Sequence, residues 1–152
     1  GEADVLRRRP RPPAEPIFNR LMVERTLVAA VVMAVVGAAA FWWMIRAGWS
    51  HDAARNALLL LMVLFENIHI GNCRSETRSA LAVSPLRSPF LLLGVLAALG
   101  VHVLGMYLPP LQAVLRTAPL DAGVWLAMIG LALTVLVAIE LHKWSWRARG
   151  LR

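Results

Sequence analysis

Residues 26–47 read TLVAAVVMAVVGAAAFWWMIRA, and between Arg25 and Arg46 the chain carries no charged side chain. At 1.5 Å of rise per residue, about 20 apolar residues match a hydrocarbon core of roughly 30 Å, so this stretch is predicted to cross a bilayer as a helix. Three more stretches share that character, at approximately Ala54–Asn72, Phe90–Leu108 and Val124–Leu141. The segments between them, Gly48–Ala53, Cys73–Pro89 and Pro109–Gly123, hold polar clusters and prolines. They read as loops, because proline lacks the amide donor and clashes with the preceding turn. Composition agrees: of 152 residues 59% are hydrophobic and only 16% charged, with a mean hydropathy of +0.62. That much apolar side chain cannot be hidden inside one soluble domain. The predicted fold is all-α, a polytopic membrane protein with a bundle of four transmembrane helices.

Charge sets the orientation. Of the sixteen Lys and Arg, thirteen lie in the N-terminal arm, the central loop and the tail, leaving Arg46, Arg55 and Arg116 on the other side. The positive-inside rule then places both termini in the cytoplasm, as an even number of crossings requires. The net charge of +7 therefore reads as topology, and no nucleic-acid partner is expected. The division is a cytoplasmic Arg/Pro-rich segment over 1–25, a transmembrane domain over 26–143 and a basic tail over 144–152. Trp42, Trp43, Trp49, Trp144 and Trp146 fall where amphipathic rings favour the interface. Ala30, Ala34 and Ala38 recur every four residues with Gly37 beside them, which makes them the expected packing ridge of the first span. Cys73 is the single cysteine, so no internal disulfide is possible. The chain opens on Gly1 and a polar Arg/Pro stretch without the features of a signal peptide, and is expected to be a piece of something longer.

The second span breaks the apolar rule. Leu58 to Phe65 is followed within the same predicted helix by Glu66, Asn67 and His69. A carboxylate in mid-bilayer costs about 2.5–3.5 kcal/mol on insertion scales, so it faces protein, water or an ion. Three readings of Glu66 stand: a hard-cation ligand, a protonatable relay group, or a neutral acid hydrogen-bonded to another helix. Glu66 and His69 are three residues apart and share a helical face, with Cys73 one turn further on, whereas Asn67 points elsewhere. His69 is a weaker metal candidate, since one imidazole lacks partners at ligand spacing. Arg74 and Arg78 stand near enough to Cys73 to favour its thiolate, although a plain reduced thiol is the simpler reading. His102 is read as a packing residue and Glu140 as solvated at the interface. One acid cannot make a calcium site, which takes six to eight oxygens, so other helices would have to complete it.

The arm Arg8-Arg9-Pro10-Arg11-Pro12-Pro13 suits a headgroup contact with the lipid bilayer or an extended docking segment. No Gly-rich phosphate loop, nucleophile elbow or catalytic carboxylate pair occurs, so the chain is not expected to be an enzyme by itself, and no catalytic or cofactor-binding residue is assigned.

Residues 4–18, DVLRRRPRPPAEPIF, resemble the loop between helices 6 and 7 of type II P-type cation-transporting ATPases, the calcium-pump-like branch. Residues 65–76, FENIHIGNCRSE, look like the end of helix 8 and its following loop, and residues 110–120, PLQAVLRTAPL, like the outer loop between helices 9 and 10. The resemblance covers nearly the whole chain in order. It implies that the four spans are helices 7 to 10, and that Glu66 matches a helix 8 acid that contributes oxygen to a calcium site. His69 stands where the calcium pumps have a different polar residue. The transported ion is then Ca2+ or another cation, while ATP and Mg2+ belong to domains that these residues do not include. One lysine beside fifteen arginines, with abundant alanine, suggests a high-GC bacterium and hence its cytoplasmic membrane.

The leading expectation is the C-terminal membrane domain of an ATP-driven cation pump, partnered by the remaining helices and domains, scaffolding the ion pathway and lending Glu66 as a ligand. The alternatives are a free-standing four-helix protein that stabilises or regulates a partner, and a small secondary transporter using Glu66 and His69 as a proton relay.

Overall fold

The computed structural model describes residues 19–74, 79–82 and 84–149. The motif over 4–18, the headgroup or docking role of its arginines and prolines, Arg78 and the end of the 65–76 motif lie outside the described residues. Helix α1 runs Arg20–Arg46, α2 His51–Asn72, α3 Pro89–Tyr107, α4 Pro109–Leu115 and α5 Ala122–Ala148, with 3-10 turns at Ala80–Ala82 and Pro85–Arg87. Of these, α1, α2, α3 and α5 are long and apolar enough to cross a membrane. They correspond to the four predicted spans. At 27 residues, α5 is about 40 Å long, so its last turns reach beyond a hydrocarbon core of roughly 30 Å.

The helix ends follow from local chemistry. Asn19, Ser50 and Asp121 stand in extended backbone, and their side chains accept from the amides of Met22, Ala53 and Val124, satisfying donors that a helix start leaves free. α1 stops because Gly48 takes φ +85°, a left-handed conformation open to glycine. The amides of Gly48 and Trp49 then bond the carbonyls of Ile45 and Met44, closing a Schellman turn.

The stretch after the third span is not all loop, as its prolines had suggested. Leu108 precedes Pro109 and is held extended at φ −90°, ψ 119°, which ends α3. Pro109 and Pro110 then occupy the first turn of α4, where a missing amide donor costs nothing. The same prolines that break one helix begin the next.

α2 is the centre of the bundle. Its buried residues Ala54, Ala57, Leu60, Leu61, Leu64 and Phe65 meet Ala29, Ala40 and Met44 of α1 and Met128, Ala132, Val135 and Ile139 of α5 in one cluster. The α5 residues alternate steps of four and three, the spacing of one helical stripe. α3 stands at the edge against α2, and only its Gly105 and Met106 are buried.

Of the expected ridge only Gly37 is buried: Ala30, Ala34 and Ala38 are exposed, and Ala29, Ala40 and Met44 are the residues buried with it. Alanine occurs all round α1, so a four-residue spacing fits two adjacent rows and cannot choose between them. The close-packing rule itself holds one row over. A Cβ on Gly37 would stand 2.8 Å from Met62 Cε and 3.6 Å from Leu58 Cδ1. The methionine end can swing aside for one methyl but not for a branched side chain. Gly37→Ala is therefore expected to be nearly neutral and Gly37→Ile to cost about 1–3 kcal/mol, seen as a lowered thermal midpoint in detergent. Equal midpoints would mean that α1 and α2 do not approach closely here.

Candidate cation-site face

The helical step of 100° turns consecutive residues of α2 to opposite duties. Phe65 is fully buried and Glu66, next to it, is exposed. Asp52, Arg55, Leu59 and Glu66 are all exposed and, with steps of three, four and seven, form one line along the helix. Glu66 lies six residues before the end of α2, about 9 Å along its axis. Met62 and Val63, between Leu59 and Glu66, are half-buried, so the line is exposed at its two ends, one of which carries a carboxylate within a membrane-length helix.

His69 is half-buried, and its Nε2 lies 3.5 Å from the Cys73 sulfur, one turn on. Its other nitrogen, Nδ1, is buried and lacks a hydrogen-bond partner among the described residues. Burial pushes the Cys73 thiol up, against the opposing pull of the Arg25 and Lys143 charges, which favours the plain thiol. Arg25 and Lys143, which bring these charges from α1 and α5, were not among the residues named for Cys73 from sequence. Asn67 was expected to point elsewhere than Glu66 and His69, and it turns toward α3, lining a cavity of about 130 Å³ with Ile70, Gly71 and Leu92. His102 is half-buried in α3. Among the described residues, no three His, Cys, Asp or Glu side chains are grouped to hold a metal ion. A hard cation at Glu66 therefore needs oxygens from elsewhere.

Where the start of α1, the end of α2 and the end of α5 meet, two acids gather the basic residues, while the side-chain amide of the buried Asn72 makes no hydrogen bond among the described residues. Glu24 accepts from Arg20 Nε at 2.6 Å and lies 3.5 Å from His142 Nε2 and 3.6 Å from Arg149. Glu140 is more than an interfacial, solvated acid: its Oε1 accepts from the Ala80 amide at 2.8 Å and from Lys143 at 3.2 Å. The sequence reading counted Lys143 only as a basic residue and the single lysine of the chain, and gave it no place in a site.

The opposite end is tied by backbone carbonyls. Asn56 Nδ2 donates to Ala118 O at 2.7 Å, Thr117 Oγ1 to Gly105 O at 2.6 Å and Gln112 Nε2 to Met106 O at 2.6 Å. Asn56 is 4% exposed, so Asn56→Ala leaves a carbonyl without its donor and is expected to cost about 1–3 kcal/mol. Thermal unfolding in detergent measures it; an unchanged midpoint would mean that water takes over the bond.

The protein family described as "Cation transporting ATPase, C-terminus" matches residues 1–145. The chain belongs to this family. Among its relatives, the "Probable cation-transporting ATPase F" of Mycobacterium tuberculosis (strain ATCC 25618 / H37Rv) is 33% identical over 141 residues, covering 91% of this chain and 16% of the relative. Mouse "Calcium-transporting ATPase type 2C member 2" is 33% identical over 143 residues, 93% of this chain and 15% of the relative. The "Calcium-transporting ATPase" of Bacillus subtilis (strain 168) is 30% identical over 132 residues, 86% and 15%. This cation-transporting ATPase C-terminal domain therefore spans about one sixth of the length of the relatives it matches. The family agrees with the resemblance read from the sequence motifs.

Proposed function

We propose that this domain works within an ATP-driven cation pump of a bacterial cytoplasmic membrane, supporting the ion pathway and lending Glu66 as one ligand to the transported cation. The observation that carries the reading is the exposed Glu66 on the central helix, beside the fully buried Phe65. An acid in a membrane-length helix must meet protein, water or an ion, and α2 turns this one away from the described bundle. The remaining helices of the pump would face Glu66 and add the missing oxygens. Two of the relatives are named as calcium transporters, which favours Ca2+ as the cargo. The end carrying Glu24, Lys143 and Arg149 then faces the cytoplasm, with 1–25 as the link to the pump's other domains and 144–152 as the tail. The chain supplies no phosphorylation chemistry of its own.

The test is Glu66→Ala in the complete pump, read as cation-dependent phosphorylation by ATP. Weaker cation dependence with normal folding supports the assignment, and unchanged dependence removes Glu66 from the site.

A further inference from the structure

The chain has fifteen arginines and a single lysine, and that lysine is the charged side chain most completely withdrawn from solvent among the described residues. Lys143 is 1% exposed. Its ammonium donates to the carbonyl oxygen of Asn72 at 3.3 Å and to Glu140 Oε1 at 3.2 Å. Asn72 is itself fully buried and is the last residue of α2. The final carbonyls of a helix have no partner within it, and a cation there also meets the negative end of the helix dipole. α5 thus supplies, from another helix, a side-chain cap to the last residue of α2, beside the backbone bond from the Cys73 amide to the His69 carbonyl. Glu140 extends the tie, since the Ala80 amide it accepts belongs to the turn that follows α2. A buried ammonium is tolerable only with such partners. The Lys143 ammonium is a compact point charge, whereas an arginine would present a planar fork of donors.

We infer that Lys143, supported by Glu140, is a positioning residue for cation binding: it fixes the last turns of α2 and thereby the rotation and depth of Glu66. The inference rests on the proposed role of Glu66 as a ligand. The mechanical link is short. The His69 carbonyl accepts from the Cys73 amide at 3.0 Å, and Glu66 is less than one turn before His69. If the end of α2 frays, the next turn to loosen is the one that aims the carboxylate. Residues that orient a ligand without touching the ion typically alter metal affinity by about 10–100-fold.

The experiment uses the complete pump with Lys143→Met, Glu66→Gln and the pair combined, reading apparent cation affinity from cation-dependent phosphorylation, with maximal phosphoenzyme and thermal midpoint alongside. Lys143→Met is expected to weaken apparent affinity about tenfold with maximal phosphoenzyme retained, and to add nothing on top of Glu66→Gln. Normal affinity in Lys143→Met, or losses that add in the combined variant, overturns the inference while leaving the ligand role of Glu66 standing. Normal affinity in Glu66→Gln overturns that role, and the inference with it. If Lys143→Met does not fold, Glu140→Gln with Lys143→Met removes both charges and leaves no unpaired ion. The same tenfold loss is expected there, and normal affinity overturns the inference.

Discussion

Glu66→Gln in the complete pump is expected to weaken apparent cation affinity on the order of 100-fold, equivalent to about 3 kcal/mol, while the thermal midpoint holds or rises. The amide keeps the shape of the side chain and removes its charge, and hard-cation sites tune affinity through the number of charged oxygens. Stability should move the other way for a separate reason. The acid contributes no packing to the bundle, because Leu64 and Phe65 face the core and Glu66 does not, and a charge within a span costs about 2.5–3.5 kcal/mol to insert. Loss of affinity with stability kept is the signature of a ligand. Loss of both together would mark Glu66 as a structural contact with another helix, and loss of neither would return it to the role of a neutral acid.

How much of this was legible in the sequence depends on the range of the interaction. The four spans were readable because length and apolarity are local; the caps at Asn19, Ser50 and Asp121 rest on local chemistry too, but the sequence reading did not name them. Glu66 was readable as a charge out of place, and its shared face with His69 and Cys73 follows from helical angle. The packing face of α1 was not, since Ala29 and Ala30 are chemically alike and only the neighbouring helix distinguishes them. α4 was missed because Pro109 and Pro110 were weighed as helix breakers and not as first-turn residues. Lys143 was missed for the deepest reason. The spacing of Glu140 and Lys143 resembles an ordinary surface pair, and the carbonyl that makes the lysine a buried cap belongs to Asn72, 71 residues earlier in the chain.

Phe65→Ala is expected to do the reverse of Glu66→Gln, lowering stability by about 3 kcal/mol. Phe65 is fully buried in the cluster where α2 meets α1 and α5, so truncation leaves a cavity. In soluble cores such a change costs about 3–5 kcal/mol, part of it lost transfer from water and part of it the cavity. Within a bilayer the separated helices face lipid and not water, so the transfer part shrinks and the cavity and lost contacts dominate. That places the expectation at the lower end of the range. Detergent unfolding of the complete pump measures it, with cation affinity determined well below the midpoint. There the affinity is expected to change far less than in Glu66→Gln, because the carboxylate remains on its own face of α2. A large affinity loss at full stability would mean that the two faces of α2 are not separable, and that the setting of Glu66 depends on the packing directly behind it as well as on the capped end below.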